Sequence, residues 1–181
     1  ATAGALECLG LDRRQALWQA GVAATERVGM LPGTSALASP HLPGMSAFEL
    51  MATDVAATGV THNQQPMELV RASLADVLPA SQLPHVPDGT RVRIAGIITH
   101  RQRPRTASGL TFLGVEDETG LMNVMVSPGL WSRHNVLART ARAMIIRGIV
   151  QNATGAVSVV ADKLEPLDFG EFLSRGSRDF R

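Results

Sequence analysis

The sequence predicts an α+β fold in which an N-terminal helical segment leads into a closed barrel of five short strands. Three observations predict it. Residues 91–167 read as five strand-length runs parted by turn signals, with one helical stretch between the third and fourth. The residues before them instead show apolar positions at helical spacing, interrupted by joints rich in Gly, Pro and Ser. Charge divides at the same place. Residues 1–90 hold four Arg against eight acids (−4), residues 91–150 nine Arg against three acids (+6), and residues 151–181 four bases against five acids (−1).

The elements follow in chain order. "ALECLG" reads as the end of an earlier helix, and Gly10 suits a turn. Residues 12–25 read as a helix capped by Asp12, with Ala16, Leu17, Ala20 and Ala24 as its apolar stripe. Residues 29–45 form a Gly-, Pro- and Ser-rich linker. Ser46 and Glu49 make a capping box for a helix over 46–58 that Gly59 ends. A further helix is predicted from Pro66, a favoured first-turn residue, to about Val77. "PHVPDG" at 84–89 closes the helical part: Pro presets φ, Asp bonds its own backbone and Gly takes positive φ.

The first strand is predicted over 90–103, with Gly96 allowing the bend by which one strand serves both sides of a small barrel. "TASG" at 106–109 is a turn, and the second strand covers 110–116. "DETG" at 117–120 is a tight hairpin into the third strand, 121–127. Pro128 starts a helix carrying Leu130, Trp131 and Leu137. The fourth strand spans 142–152, "NATG" turns, and the fifth spans 156–164. This order and length fit an OB-fold, a barrel that commonly grips single-stranded nucleic acid. The tail from Gly170 has few apolar anchors and is expected to be mobile.

Composition bounds the function. At 181 residues, 45% hydrophobic and 18% charged, the chain holds a folded domain with an appendage, or two small ones. No apolar run approaches the ~20 residues that cross a bilayer, so no membrane role is expected. The N-terminus lacks a secretory pattern and an initiator Met, which points to a piece of a longer chain. Cys8 is the single cysteine, and its place between Leu6 and Leu9 suggests a buried structural thiol in a reducing, cytoplasmic setting. His41, His62 and His85 lack metal-ligand spacing. Walker, GxSxG and HExxH patterns are absent, so catalytic and metal-binding residues are expected to be none. Glu116, Asp117 and Glu118 could bind a divalent ion, but a solvated turn is the simpler reading. Sixteen Arg against one Lys reflects a high-GC source, which does not account for their gathering in one segment.

The leading binding candidates are Arg101, Arg103 and Arg105. Residues two apart on a strand share a face, so all three are expected to project together, at an open edge stiffened by Pro104. Guanidinium forks match phosphate oxygens. The alternative is an edge strand protected from aggregation by charge; the other basic residues of the same module favour binding. Replacing the three together is expected to weaken binding with little loss of melting temperature. His100 could reach a phosphate or fill a polar edge. Phe112 could be core or a stacking platform, and Asn123 is a further candidate. Arg91, Arg93 and Arg147 can extend a phosphate path. Trp131 is expected to plug the barrel. With no Tyr and few aromatics, a grip on phosphates is favoured over extensive stacking.

These residues also carry a family resemblance. "THRQRP", "GLTFLGVEDETGLMNVMVSPGLW" and "ARTARAMIIRGIVQNATGAVSVVADKLEPL" resemble the C-terminal OB module of bacterial C-family DNA polymerase alpha subunits, on the error-prone branch. "ALECLGLDRRQALW" and "LPGMSAFELMATDVAATGVTHNQQPMELVR" resemble the same family's segment after its tandem helix-hairpin-helix region. The resemblance implies 1–28 as the end of that region with its following helix, 29–45 as linker and 46–88 as a helical connecting segment. It further implies 89–168 as the nucleic-acid-binding OB module and 169–181 as a flexible tail. It implies binding of single-stranded or primed template DNA, and a parent nucleotidyltransferase that uses Mg at residues upstream. It also implies translesion partners: a catalytically inactive Y-family-like protein and the sliding clamp. The alternative function is a protein-interaction module, with Phe48, Leu50, Met51, Leu69 and Val70 docking an accessory protein or the rest of the polymerase.

Overall fold

A computed structural model of the chain describes residues 2–25, 29, 40–58, 65–152 and 156–169. Two compact units divide between residues 64 and 65. Most of the expected linker over 29–45, the helix stop at Gly59, most of the turn at 152–155, and the tail from Gly170 lie outside the described residues.

The first unit holds α1 (Arg13–Ala23) and α2 (Ala47–Thr58). Both begin at the predicted caps. Asp12 accepts the Gln15 amide at 2.8 Å while Gln15 bonds back to the Asp12 amide at 3.3 Å. Ser46 and Glu49 exchange the same pair of bonds, at 3.2 and 2.8 Å. The buried stripe of α1 departs from expectation. Leu17 and Trp18 are exposed, whereas Arg13 is buried and pairs with buried Asp54 of α2 and, at 3.0 Å, with Glu7. "ALECLG" forms a 3-10 helix over Glu7–Leu9 that buries no residue, so Cys8 is exposed and not the buried thiol expected.

The second unit is the barrel. Its strands are β1 (Arg91–Gln102), β2 (Thr111–Asp117), β3 (Gly120–Val126), β4 (Ala143–Gln151) and β5 (Ser158–Pro166). They close in the order β1-β2-β3-β5-β4, antiparallel except for β3 beside β5. Inward side chains of all five strands, among them Ile94, Leu113, Val124, Ile146 and Val159, form one core. The interstrand helix is two short ones, α4 (Pro128–Arg133) and α5 (Asn135–Thr140), broken at His134 (φ −115°, ψ 32°). Leu130 and Ala138 from this pair pack into the core, and Trp131 is half-buried against it.

Gly96 behaves as the sequence predicts. β1 pairs with β4 through residues 91–97 and with β2 from Ile97 onward. At the changeover a Cβ on Gly96 would stand 2.5 Å from the Glu116 carbonyl oxygen, inside van der Waals contact. Beyond it a bulge at Thr99 shifts the β1–β2 register, so His100 faces Gly114 and Arg101 faces Leu113.

The division at 64/65 differs from the predicted boundary at 88/89, because residues 65–86 are built onto the barrel. The helix from Pro66 is α3 (Pro66–Arg71) and stops six residues short of Val77. Ser73 turns its hydroxyl onto the Val70 carbonyl at 2.6 Å, competing with the helical ladder. Asp76 then takes a left-handed φ of 59°, and the Leu78 amide bonds the Arg93 carbonyl of β1 at 2.7 Å. A 3-10 helix over Ala80–His85 follows. Met67 and Val70 are buried against Ala95, Ala143 and Leu167. At ~1.5–3 kcal/mol for each such side chain, this burial offsets the cost of ordering so short a helix.

Arg71 completes the attachment. Its guanidinium bonds Glu118 at 2.6 and 2.8 Å and Asp117 at 2.8 Å. Asp117 is 1% exposed and also accepts the amides of Ala80, Thr119 and Gly120. The acidic turn is thus no solvated loop: two of its three carboxylates hold a cation. The paired carboxylates raise the Arg71 pKa, the Glu118 bond most. Removing one partner of a buried pair strands the other. We expect Arg71→Ala to lower stability by about 3 kcal/mol in urea denaturation, and Asp117→Asn in the same background to recover part of it. No loss in the single variant would show the pair to be inert.

Candidate nucleic-acid interface

Strand register assembles one outward face of the barrel. His100, Gly114, Asn123 and Ser158 lie opposite one another across β1, β2, β3 and β5. Beside them Gln102, Phe112, Met125 and Val160 form a second row. Thr111, Leu113 and Val115 are buried on the inner side, which leaves Phe112 half-buried on the outer one. The choice left open by the sequence is thereby resolved: Phe112 is not core. Asn123 is exposed. The His100 imidazole lies over the Cα of Gly114, so close that a Cβ there would collide with the ring. Thr99 Oγ1 stands 3.1 Å from His100 Nδ1.

The three leading arginines do not act alike. Arg101 is half-buried, and its guanidinium donates to the carbonyls of Ala138, at 2.8 Å, and Ala141, at the end of α5. Burial lowers its pKa. The bulge at Thr99 is the cause, since it turns Arg101 onto the side of buried Leu113, toward the helical cap. Arg103 and Arg105 are exposed, but β1 ends at Gln102, so Arg105 stands in the following turn and not on a shared strand face. The common projection expected of the three is therefore corrected: Arg101 and Arg103 border one small cavity, and Arg105 does not.

Arg91, Arg93 and Arg147 belong to another surface. Arg93 lies opposite Arg147, and Arg147 opposite Lys163, a row of like charges that would repel if left bare. Asp162 offsets it by pairing with Arg147 at 2.7 Å and Arg91 at 3.3 Å. Glu165 pairs with Lys163 at 2.5 Å and Arg93 at 3.2 Å. All are solvent-accessible and worth at most ~1 kcal/mol each. These arginines line a cleft of about 690 Å³ with residues 76–79 and Gln82. Arg93 and Arg101 are separated by roughly 26 Å of strand contour.

Besides Arg101, which bonds carbonyls, five arginines have no carboxylate partner among the described residues. They are Arg103 and Arg105 after β1, Arg133 on α4, Arg139 on α5 and Arg142 before β4. Sequence reasoning did not single out Arg133, Arg139 or Arg142. The "ARTAR" spacing at the end of a helix next to a strand was the signal for the last two. No group of three His, Cys, Asp or Glu converges to hold a metal ion among the described residues. No helix among them is long and apolar enough to cross a membrane. Of the apolar residues expected to dock a partner, Met51 and Val70 are buried.

Arg101→Ala strands two carbonyls and should cost about 1–3 kcal/mol in thermal or urea melts, contrary to a purely surface role. Arg103→Ala with Arg105→Ala should stay within about 0.5 kcal/mol of the parent. Equal losses in both would place all three in the same structural role. Gly114→Ala should displace His100 and broaden its imidazole NMR signals; an unmoved ring would contradict the overlay.

Comparison with known proteins agrees with this geometry. Residues 92–167 match the family model described as an OB-fold nucleic acid binding domain. The whole chain is 76% identical over 184 residues to a protein named error-prone DNA polymerase from Corynebacterium efficiens, covering 17% of it. It is 72% identical over 183 residues to one from Corynebacterium glutamicum and 54% identical over 184 residues to one from Mycobacterium tuberculosis H37Rv, again covering 17% of each. The chain thus spans about a sixth of the length of these relatives. Over its full length it is a homologue of one segment of the bacterial error-prone DNA polymerases, and its residues 92–167 match the model of the OB-fold nucleic acid binding domain.

Proposed function

We propose that this chain is the C-terminal part of a translesion DNA polymerase, and that its barrel holds single-stranded template DNA on the face formed by β1, β2 and β3. The observation that carries this reading is the outward face bearing His100, Phe112 and Asn123 on a barrel that also carries a rim of arginines with no carboxylate partner among the described residues. A free guanidinium beside a polar and aromatic surface offers both the charge that phosphates need and a plane on which a base can rest. The rim comprises Arg103, Arg105, Arg139 and Arg142. Arg91, Arg93 and Arg147 already have counter-charges and would contribute less. Among the described residues of that face Phe112 and His100 offer the rings, so phosphate contacts carry most of the affinity.

Nucleotidyl transfer, and the Mg that it would use, is assigned to other parts of the parent polymerase. Work in the cytoplasm with an inactive Y-family-like partner and the sliding clamp belongs to the same reading. The test is a salt titration of oligonucleotide binding by the 181-residue chain. The log–log slope should be roughly −0.7 for each phosphate neutralised on a single strand. Replacing Arg103 and Arg105 by Ala should reduce its magnitude by about 1.4, and single strands should bind more tightly than duplex. Binding that ignores salt, or prefers duplex, would refute the reading.

A further inference from the structure

We propose that the small cavity at the capped end of the barrel receives one unstacked base of the bound strand, with Trp131 as its wall and Arg103 and Arg139 on the adjoining phosphates. The inference rests on the reading just given and adds a defined subsite to it. The cavity lies between the end of β1, the start of β2 and the α4–α5 pair, and measures about 280 Å³. Ligand clefts usually run from ~300 Å³ upward, so this one suits a single base and not an extended oligomer.

Its chemistry points the same way. The lining residues are Arg101, Gln102, Arg103, Thr111, Trp131 and Arg139, with no carboxylate among them. The larger cleft on the other surface is unlike it: Asp76 lines that cleft, and its three arginines are already paired with Asp162 and Glu165. Arg103 and Arg139 are exposed and have no partner among the described residues. An anion reaching them need displace no counter-charge.

Thr111 supplies a second, independent observation. It is 2% exposed, it lines the cavity, and its hydroxyl has no hydrogen-bond partner among the described residues. A buried polar atom left unpaired is costly and rare in native structures. Rotation of this side chain toward the cavity would offer the hydroxyl to the polar edge of a base, and the Gln102 amide borders the same space. Trp131, half-buried against the core, is held by packing. Arg101 acts as a positioning residue: by holding the Ala138 and Ala141 carbonyls it fixes the turn of α5 that carries Arg139.

The experiment uses the 181-residue chain with Trp18→Phe, which leaves Trp131 as the sole tryptophan because the sequence has two. A melting curve checks its fold. A labelled twelve-residue oligothymidylate is titrated by anisotropy while Trp131 emission is followed; an abasic oligomer of equal length is the second probe. The expected result is saturable quenching of Trp131 by oligothymidylate and none by the abasic strand. Arg139→Gln should weaken oligothymidylate binding on the order of fivefold. Thr111→Val, of the same shape, should weaken binding without lowering the melting temperature. Saturable anisotropy with unchanged Trp131 emission and unchanged affinity of Arg139→Gln would overturn the subsite and leave the template-binding reading standing. Equal quenching by both probes would also overturn it, since phosphate alone would then suffice. No anisotropy change at low salt would overturn both.

Discussion

Barrel closure depends on one strand pairing on both of its sides, and that depends on a missing Cβ. β1 has to leave β4 and join β2 within a residue or two, and at Gly96 the two neighbours come so near that any side chain would meet the Glu116 carbonyl. Gly148 on β4 repeats the constraint against the Val160 carbonyl of β5. Backbone crossings this tight set the tilt of the strands, and with it which side chains reach the outer face. The rows through Phe112 and Asn123 are consequences of that closure as much as of their own alternation.

Charge on this barrel is sorted by its partners and not by its density. Nine arginines fall within residues 91–150. Those at the start of β1 and in β4 meet acids of β5, Arg101 is spent on carbonyls, and those around the β1–β2 turn and the end of α5 pair with no acid among the described residues. A polyanion sees only the last group at full strength, because a neutralised guanidinium has little field left to offer. Segment net charge therefore overstates how much of the positive charge is left without a counter-charge.

The five strands, the hairpin from Asp117 to Gly120 and the closing glycine at 96 were legible in the sequence because each rests on neighbours a few residues apart; at Pro87-Asp88-Gly89 the turn was legible, but Asp88 accepts the distant Asn152 amide and not its own backbone. The helix caps at Asp12 and Ser46 were legible for the same reason. What stayed hidden depends on distant partners. Arg71 meets Asp117 and Glu118 across more than forty residues of chain, so neither the early end of α3 nor the attachment of residues 65–86 could be read locally. A buried arginine beside the apolar stripe expected of α1 needs Asp54 to make sense. In the candidate site the Thr99 bulge was decisive. Alternation gives the face of a residue only until a strand gains one unpaired position, and Arg101 lies just past such a position.

The overlay of His100 on Gly114 reaches beyond the contact itself. On that patch the outer surface of one strand is supplied by a residue fourteen places earlier, whose ring occupies the space that any larger residue at 114 would fill. Neither position is free to drift alone: bulk gained at one has to be surrendered at the other.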